Sequence, residues 1–242
     1  REGGSISFFD LTTEREIARV PIGPAIPHEV AISPDGRWAV AGEYGPNGSP
    51  GQRLVVIDIV SARVEGYIDL GTESRPHDMR FLPDSLRAVS TMQDSDMLAL
   101  VDIFSLEVIR KYPTGGREGH MVRLSPDGTR AYVTSRGAEG TLSVIYLEED
   151  IEPTVIETGP GAEGLAVTAD GTEVWALNRQ ETTISVIDTQ SLKVVEEVSS
   201  HAFAGRAESL ETGQIAAVNG TTGQEVGDYL RLYDAKSRAV LQ

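Results

Sequence analysis

Four residues hold one repeated place in this chain. His28, His77, His120 and Glu163 each stand seven residues before the aspartate of a turn: Asp35, Asp84, Asp127 and Asp170. Three of the four histidines in the sequence therefore share a single repeat position. Three imidazoles and a carboxylate form a ligand set suited to zinc, iron, copper or manganese. Glu29 and Asp78, each next to one of these histidines, can accept the other ring N–H and so orient the ligand. Arg75, Arg117 and Arg206 lie close to the same position, where they can pair with a carboxylate or phosphate on a ligand. With Asp78 they make up the candidate set for a polar ligand. A structural reading stands beside both: each histidine hydrogen-bonds the backbone of a neighbouring repeat, and its recurrence follows from duplication.

Other chemistry is thinner. His201 follows Ser199-Ser200 without a positioned aspartate or a strand-turn-helix elbow, which makes it a loop residue rather than part of a hydrolytic triad. The glycine-rich stretches at 45–51 and 159–161 lack the helix that a phosphate-cradling loop requires. Glu148, Glu149, Asp150 and Glu152 lack EF-hand spacing and read as a solvated connection. With no cysteine in the chain, thiolate metal sites, disulfides and a cysteine nucleophile are excluded.

The elements that must position these residues are repeated units. A Ser-Pro-Asp-Gly-like turn recurs at 33–36, 82–85, 125–128 and 168–171, with a decayed copy at 210–213. Its third positions are spaced by 49, 43, 43 and 42 residues. A second anchor, an apolar residue before Asp, ends at Asp10, Asp58, Asp102, Asp188 and Asp234; the remaining copy has Tyr146 instead. Before each turn apolar residues alternate (Val30/Ile32, Met79/Phe81, Val122/Leu124, Leu165/Val167), the period of a strand. The segments after it are rich in Val, Trp and Tyr. Pro-Asp-Gly suits the tight turn between the two. In the Asp-x-x-Ser/Thr turn after the second anchor, side-chain oxygens can hold the local amides. Four short antiparallel strands per unit of about 43 residues predict a β-propeller. Trp38 and Trp175 are expected between blades, and Arg37, Arg87 and Arg130 on the face of the Pro-Asp-Gly turns.

Ala131-Tyr132-Val133-Thr134-Ser135 after its Ser-Pro-Asp-Gly turn, followed by Thr141-Leu142-Ser143-Val144-Ile145, resembles the YVTN-repeat β-propellers. Pro27-His28, Pro76-His77 and residues 182–189 are similar to the same family. The resemblance spans nearly the whole chain. It implies a propeller of four-stranded blades and a periplasmic or extracellular location, and its relatives include binding modules, lactonase-like enzymes and subunits of redox complexes.

Strand counting over 1–242, read as one domain, yields five full blades (28–70, 77–114, 120–158, 163–199 and 206–242) and an amino-terminal outer half-blade over 1–20. A complete ring of six or seven blades is expected, with the half-blade edge open to association with another chain. The net charge of −16 opposes nucleic-acid binding. No apolar run is long enough to span a bilayer, and no signal peptide is evident in this chain. Two functions follow. The first is a binding or scaffold module that holds a protein partner or small polar ligand at the loop-rich face and channel mouth. The alternative is a metal-dependent hydrolase, lyase or oxidase with His28, His77, His120 and Glu163 around the ion.

Overall fold

Every strand of the structure, a computed structural model, lies where a repeat unit places one. All residues are described except 1–3, 24–25, 47, 201–203, 220–228 and 242; His201 and most of the 220–229 loop thus lie outside the described residues. The chain divides into two units, 1–112 and 113–242.

The first unit contains three antiparallel sheets. Strands β1 (Ser5–Asp10) and β2 (Arg15–Pro21) form a two-stranded sheet, the expected half-blade. A four-stranded sheet follows: β3 (Pro27–Ile32), β4 (Trp38–Glu43), β5 (Arg53–Asp58) and β6 (Arg63–Asp69). The next comprises β7 (Pro76–Phe81), β8 (Arg87–Met92), β9 (Met97–Asp102) and β10 (Glu107–Pro113). Its core lies between sheets: Trp38, Val40, Leu54 and Val56 pack with Met79, Phe81, Ala99 and Val101. Val20 and Ile22 close the half-blade against Ala39, Val55 and Ile57.

In the second unit, one four-stranded sheet comprises β11 (Gly119–Leu124), β12 (Arg130–Ser135), β13 (Thr141–Tyr146) and β14 (Thr154–Glu157). The second comprises β15 (Ala162–Val167), β16 (Glu173–Asn178), β17 (Thr183–Asp188) and β18 (Lys193–Ser199). The last has three strands, β19 (Ala204–Ser209), β20 (Gln214–Asn219) and β21 (Tyr229–Asp234). The fourth strand expected in this sheet is not among the strands of the described residues. The Asp234–Ser237 turn returns the chain onto β21, where Val240 bridges Tyr233 and the Leu241 amide donates to the Leu232 carbonyl. Where Tyr146 replaces Asp there is no Asp-x-x-Ser turn; a longer link runs to Pro153, and β14 has only 4 residues. Trp175 is fully buried with Ala204, Ala207, Ile215 and Tyr233, between two sheets as its repeat position requires. Arg123 crosses from β11 to β19, donating to the Ala207 carbonyl and to the Glu208 carboxylate.

The turns are tied by side chains. Ser125 Oγ lies 2.5 Å from Asp127 Oδ1, which also accepts the Thr129 amide, and the Arg130 amide donates to Ser125 Oγ. Thr168, Asp170, Thr172 and Glu173 repeat the arrangement. The Asp-x-x-Ser turns work alike: Asp58 accepts the Ser61 amide, Asp102 those of Phe104 and Ser105, and Asp188 that of Ser191. Four residues after each aspartate of this second kind the backbone is left-handed, at Glu14, Ala62, Leu106, Leu192 and Arg238. The carboxylates thus hold the chain in a conformation that non-glycine residues adopt at a cost.

Two outcomes test this account. A β-carbon on Gly164 would stand 2.7 Å from the carbonyl oxygen of Gly205 on the adjacent inner strand. Gly164→Ala is therefore expected to destabilise the fold by about 1–3 kcal/mol in denaturant titration. The hydroxyl of Ser125 and the Thr129 amide hold Asp127 below the usual carboxylate range, and Thr168 does the same for Asp170. A carboxylate with a depressed folded pKa contributes stability above its unfolded value of about 3.9, and that contribution is lost as pH falls through the folded value. The double variant Asp127→Asn/Asp170→Asn should lose less stability than the parent between about pH 5 and pH 3. A parallel decline in the two proteins would sink the assignment.

Candidate functional site

The first two members of the repeated set meet in the first unit. His28 and His77 open the inner strands β3 and β7, and their ring centroids lie 4.2 Å apart. Tyr44 completes a trio, 4.7 Å from the His28 ring and 5.5 Å from the His77 ring. Its hydroxyl lies 3.2 Å from Gln93 Oε1. His77 is 2 % exposed, and the His28 side chain 5 %. Glu29 brings a carboxylate oxygen to 3.3 Å from His28 Nδ1, which makes no hydrogen bond. Asp78 is used differently: its carboxylate pairs with Arg80 at 3.1 Å, and its amide donates to Thr91 Oγ1.

Arg75 borders the trio. Its guanidinium carbon lies 5.0 Å from the Tyr44 ring centre, and its Nε donates to Asp94 at 2.8 Å. Its φ of +44°, directly before Pro76, places it in the left-handed region. Such backbone is costly for a residue with a β-carbon. The Arg75 carbonyl is held by the Gln93 amide and its own amide by the Gly51 carbonyl.

In the second unit the equivalent positions do other work. His120 Nδ1 lies 3.0 Å from the carbonyl oxygen of Glu163, which also accepts the Thr134 hydroxyl. That is the backbone contact foreseen in the structural reading of the repeat. The Glu163 carboxylate pairs with Arg179 at 2.7 Å and approaches Arg206 at 3.6 Å. Arg206 is thereby engaged within the protein, and Arg117 has no carboxylate within 4.0 Å among the described residues of its unit. No three His, Asp or Glu side chains are gathered at metal-ligand spacing among the described residues.

The inner strand of each four-stranded sheet breaks its ladder at this place, and β19 does so between Ala204 and Arg206. The register shifts between Pro27 and Val30, Pro76 and Met79, Gly119 and Val122, and Ala162 and Leu165. Bulges re-aim side chains at the rims of sheets. The sequence reading missed the partners that the bulges face. Tyr44, Gln93, Arg136 and Arg179 each stand nine residues after the turn aspartate. Their amides donate to the equivalent carbonyls of Ile26, Arg75, Glu118 and Gly161. The same counting that found the histidines would have found this second position. Its signal was masked because the residue type changes from repeat to repeat.

A family model described as YNCE-like beta-propeller matches residues 2–213. The chain belongs to the YNCE-like beta-propeller family. No curated protein matches this YNCE-like propeller in sequence. Among solved structures it is similar to Kuenenia stuttgartiensis hydrazine synthase, with a TM-score of 0.74 at 21 % identity. That match covers 87 % of this chain and 63 % of the other, so the YNCE-like chain spans less than two thirds of its neighbour. At this identity the likeness is one of fold. Among the described residues no helix is long and apolar enough to cross a membrane.

The ring trio has a direct check. Tyr44→Phe removes only the hydroxyl, with its contacts to Gln93 and Arg75, and should cost about 0.5–1.5 kcal/mol. Tyr44→Ala removes the ring itself. It should shift the imidazole C–H resonances of both His28 and His77, which Tyr44→Phe leaves near their original positions. Unmoved histidine resonances in Tyr44→Ala would show that the trio does not form in solution.

Proposed function

We propose that this propeller is a binding module of the periplasm or extracellular space. Its inner-strand openings, at His28, Tyr44, His77 and Arg75, hold a small polar ligand or a polar side chain of a partner protein. The observation that carries the reading is Arg75. A left-handed backbone before a proline, pinned by hydrogen bonds on both sides, sets a guanidinium over the Tyr44 ring, which itself packs on His28 and His77. Strain of this kind is retained where the surrounding structure over-determines it, and it clusters at ligand clamps. Rings supply flat amphipathic surface, and the guanidinium supplies a fork for planar anions. The resemblance to surface and periplasmic propellers supports the location.

The metal-dependent reading is a proposal with one observation in its favour. A Glu29 oxygen lies 3.3 Å from His28 Nδ1, within reach of the hydrogen bond by which a carboxylate orients a ligating histidine, a bond that is not formed here. Elemental analysis of protein purified without chelator separates the two readings. About one zinc, iron, copper or manganese per chain, lost in His77→Ala, supports the metal site, and a content far below one ion per chain ends it.

The binding reading is tested by following the His28 and His77 imidazole resonances while titrating a panel of small carboxylates, phosphates, sugars and short acidic peptides. At least one class should shift both rings saturably, and Arg75→Ala should weaken that binding about tenfold, the cost of one charge-assisted pair. A panel that moves neither ring, or binding indifferent to Arg75→Ala, overturns the assignment.

A further inference from the structure

Neighbouring sheets touch at their aspartate turns. In the first unit the Asp35 amide donates to Ser85 Oγ on the turn of the next sheet, at 3.2 Å. In the second unit the Pro126 ring takes the place beside Gly171, where a β-carbon would stand 2.8 Å from Pro126 Cδ and 3.0 Å from its Cγ. Arg130, just after the same turn, donates from Nη1 to the Thr189 carbonyl at 3.0 Å. A proline ring and a guanidinium thus close the junction between β11–β14 and β15–β18.

At the next junction, between β15–β18 and β19–β21, both groups are missing. Ala169 stands at the repeat position of Pro126, Glu173 at that of Arg130, and Ala235 at that of Thr189. Gly213 is the counterpart of Gly171, and a β-carbon on it would meet no described atom within 4 Å. Glu173 is committed elsewhere: it accepts the Trp175 indole N–H and pairs with Arg238. A cleft of about 540 Å³ results. Residues of the 168–173 turn line one side, and Gly213, Ala235, Lys236 and Arg238 the other. Its volume is that of a site for a small ligand or a few side chains.

Three polar groups in this cleft have capacity to spare. The Ala235 carbonyl, equivalent to the one that takes Arg130, accepts no hydrogen bond among the described residues. Asp170 takes the donors of its own turn on Oδ1, which leaves Oδ2 open. Lys236 is exposed and has no carboxylate within 4.0 Å among the described residues of the unit.

We propose that this cleft docks a segment of a partner protein that carries a proline with an arginine close by. The segment supplies from outside what Pro126 and Arg130 supply within the chain. Its proline ring fills the space between Ala169 and Gly213. Its guanidinium donates to the Ala235 carbonyl and the Asp170 carboxylate, and one of its main-chain carbonyls accepts from Lys236. Proline suits the role because its ring gives up almost no side-chain freedom on burial. The net charge of −16 favours a basic segment over an acidic one. The surface shares no residue with the His28–Tyr44–His77 reading.

The test titrates the full chain, labelled with nitrogen-15, with the hexapeptide acetyl-Ser-Pro-Asp-Gly-Thr-Arg-amide, the sequence of residues 125–130. Amides of residues 168–173 and 234–238 should shift saturably. Alanine in place of the peptide's proline should weaken binding about tenfold or more, and glutamine in place of its arginine several-fold. Ala169→Pro restores the proline of the repeat. It should abolish the shifts while the unfolding midpoint stays equal to or above that of the parent. Ala169→Leu fills the same space without constraining the backbone and should weaken binding about tenfold. Arg75→Ala should leave peptide binding unchanged, so failure here and failure of the His28–His77 reading are distinguishable. The proposal is overturned by the lack of any saturable shift, by equal affinity for the alanine peptide, or by unchanged binding in either folded Ala169 variant. Shifts of the same amides on raising the protein's own concentration would also overturn it, making a second copy of the chain the occupant.

Discussion

Register along the inner strands is the constraint on which everything else in this protein rests. A strand shifted by one residue turns every side chain to its opposite face. In each four-stranded sheet the inner hairpin is pinned at one end by the aspartate turn, where a carboxylate accepts amides of its own loop, as Asp35, Asp84, Asp127 and Asp170 do. Seven residues away the ladder shifts at a bulge, and there the histidine or its glutamate counterpart sits. The turn sets the count and the bulge spends one residue of it. Neither the ring trio nor the Glu163 cluster would assemble if either slipped.

Given that frame, equivalent positions have diverged by the partners opposite them. Tyr44 and Gln93, facing His28 and His77, give a packed aromatic group with one hydroxyl contact. Arg179 at the same repeat position faces Glu163 and turns it into half of an ion pair. His120 has a neighbouring backbone carbonyl for its Nδ1. Repetition of backbone thus coexists with three side-chain chemistries at one place in the repeat. The carboxylate at Glu163 is 11 % exposed in its ion pair with a half-exposed arginine, so the pair is partly solvated, and its contribution lies nearer that of surface pairs than of buried ones.

Close approach between sheets adds a second condition within each unit. Gly42 would place a β-carbon 2.8 Å from the Pro76 carbonyl oxygen, and Gly164 one 2.7 Å from that of Gly205. Glycine there lets neighbouring sheets come together over backbone. Gly66 accepts the Leu106 side chain, which would have to shift if a β-carbon were added there. The many glycines of this chain are therefore divided between turns that need left-handed backbone and walls that need no side chain. Gly116, over the buried Ser135 and Thr141 hydroxyls, is of the second kind.

The sequence by itself determined the blade and its count. Two anchors recurring about every 43 residues, alternation on either side of a turn, and the half-unit at the amino terminus were all local patterns, and local patterns survive in one dimension. It also placed His28, His77, His120 and Glu163 at one repeat position and Trp38 and Trp175 between sheets. It left open which of those residues are engaged and by whom. That Arg75 pairs with Asp94, that Arg206 leans on Glu163 while Arg117 has no acid beside it, and that Ser135 and Thr141 lie unpaired under a bare glycine were decided only by tertiary structure. The reason is physical. Strand period and turn chemistry are set by residues within a few positions of one another, whereas the partner of a charge or a hydroxyl is chosen by distances of a few ångströms between segments 16 to 43 residues apart.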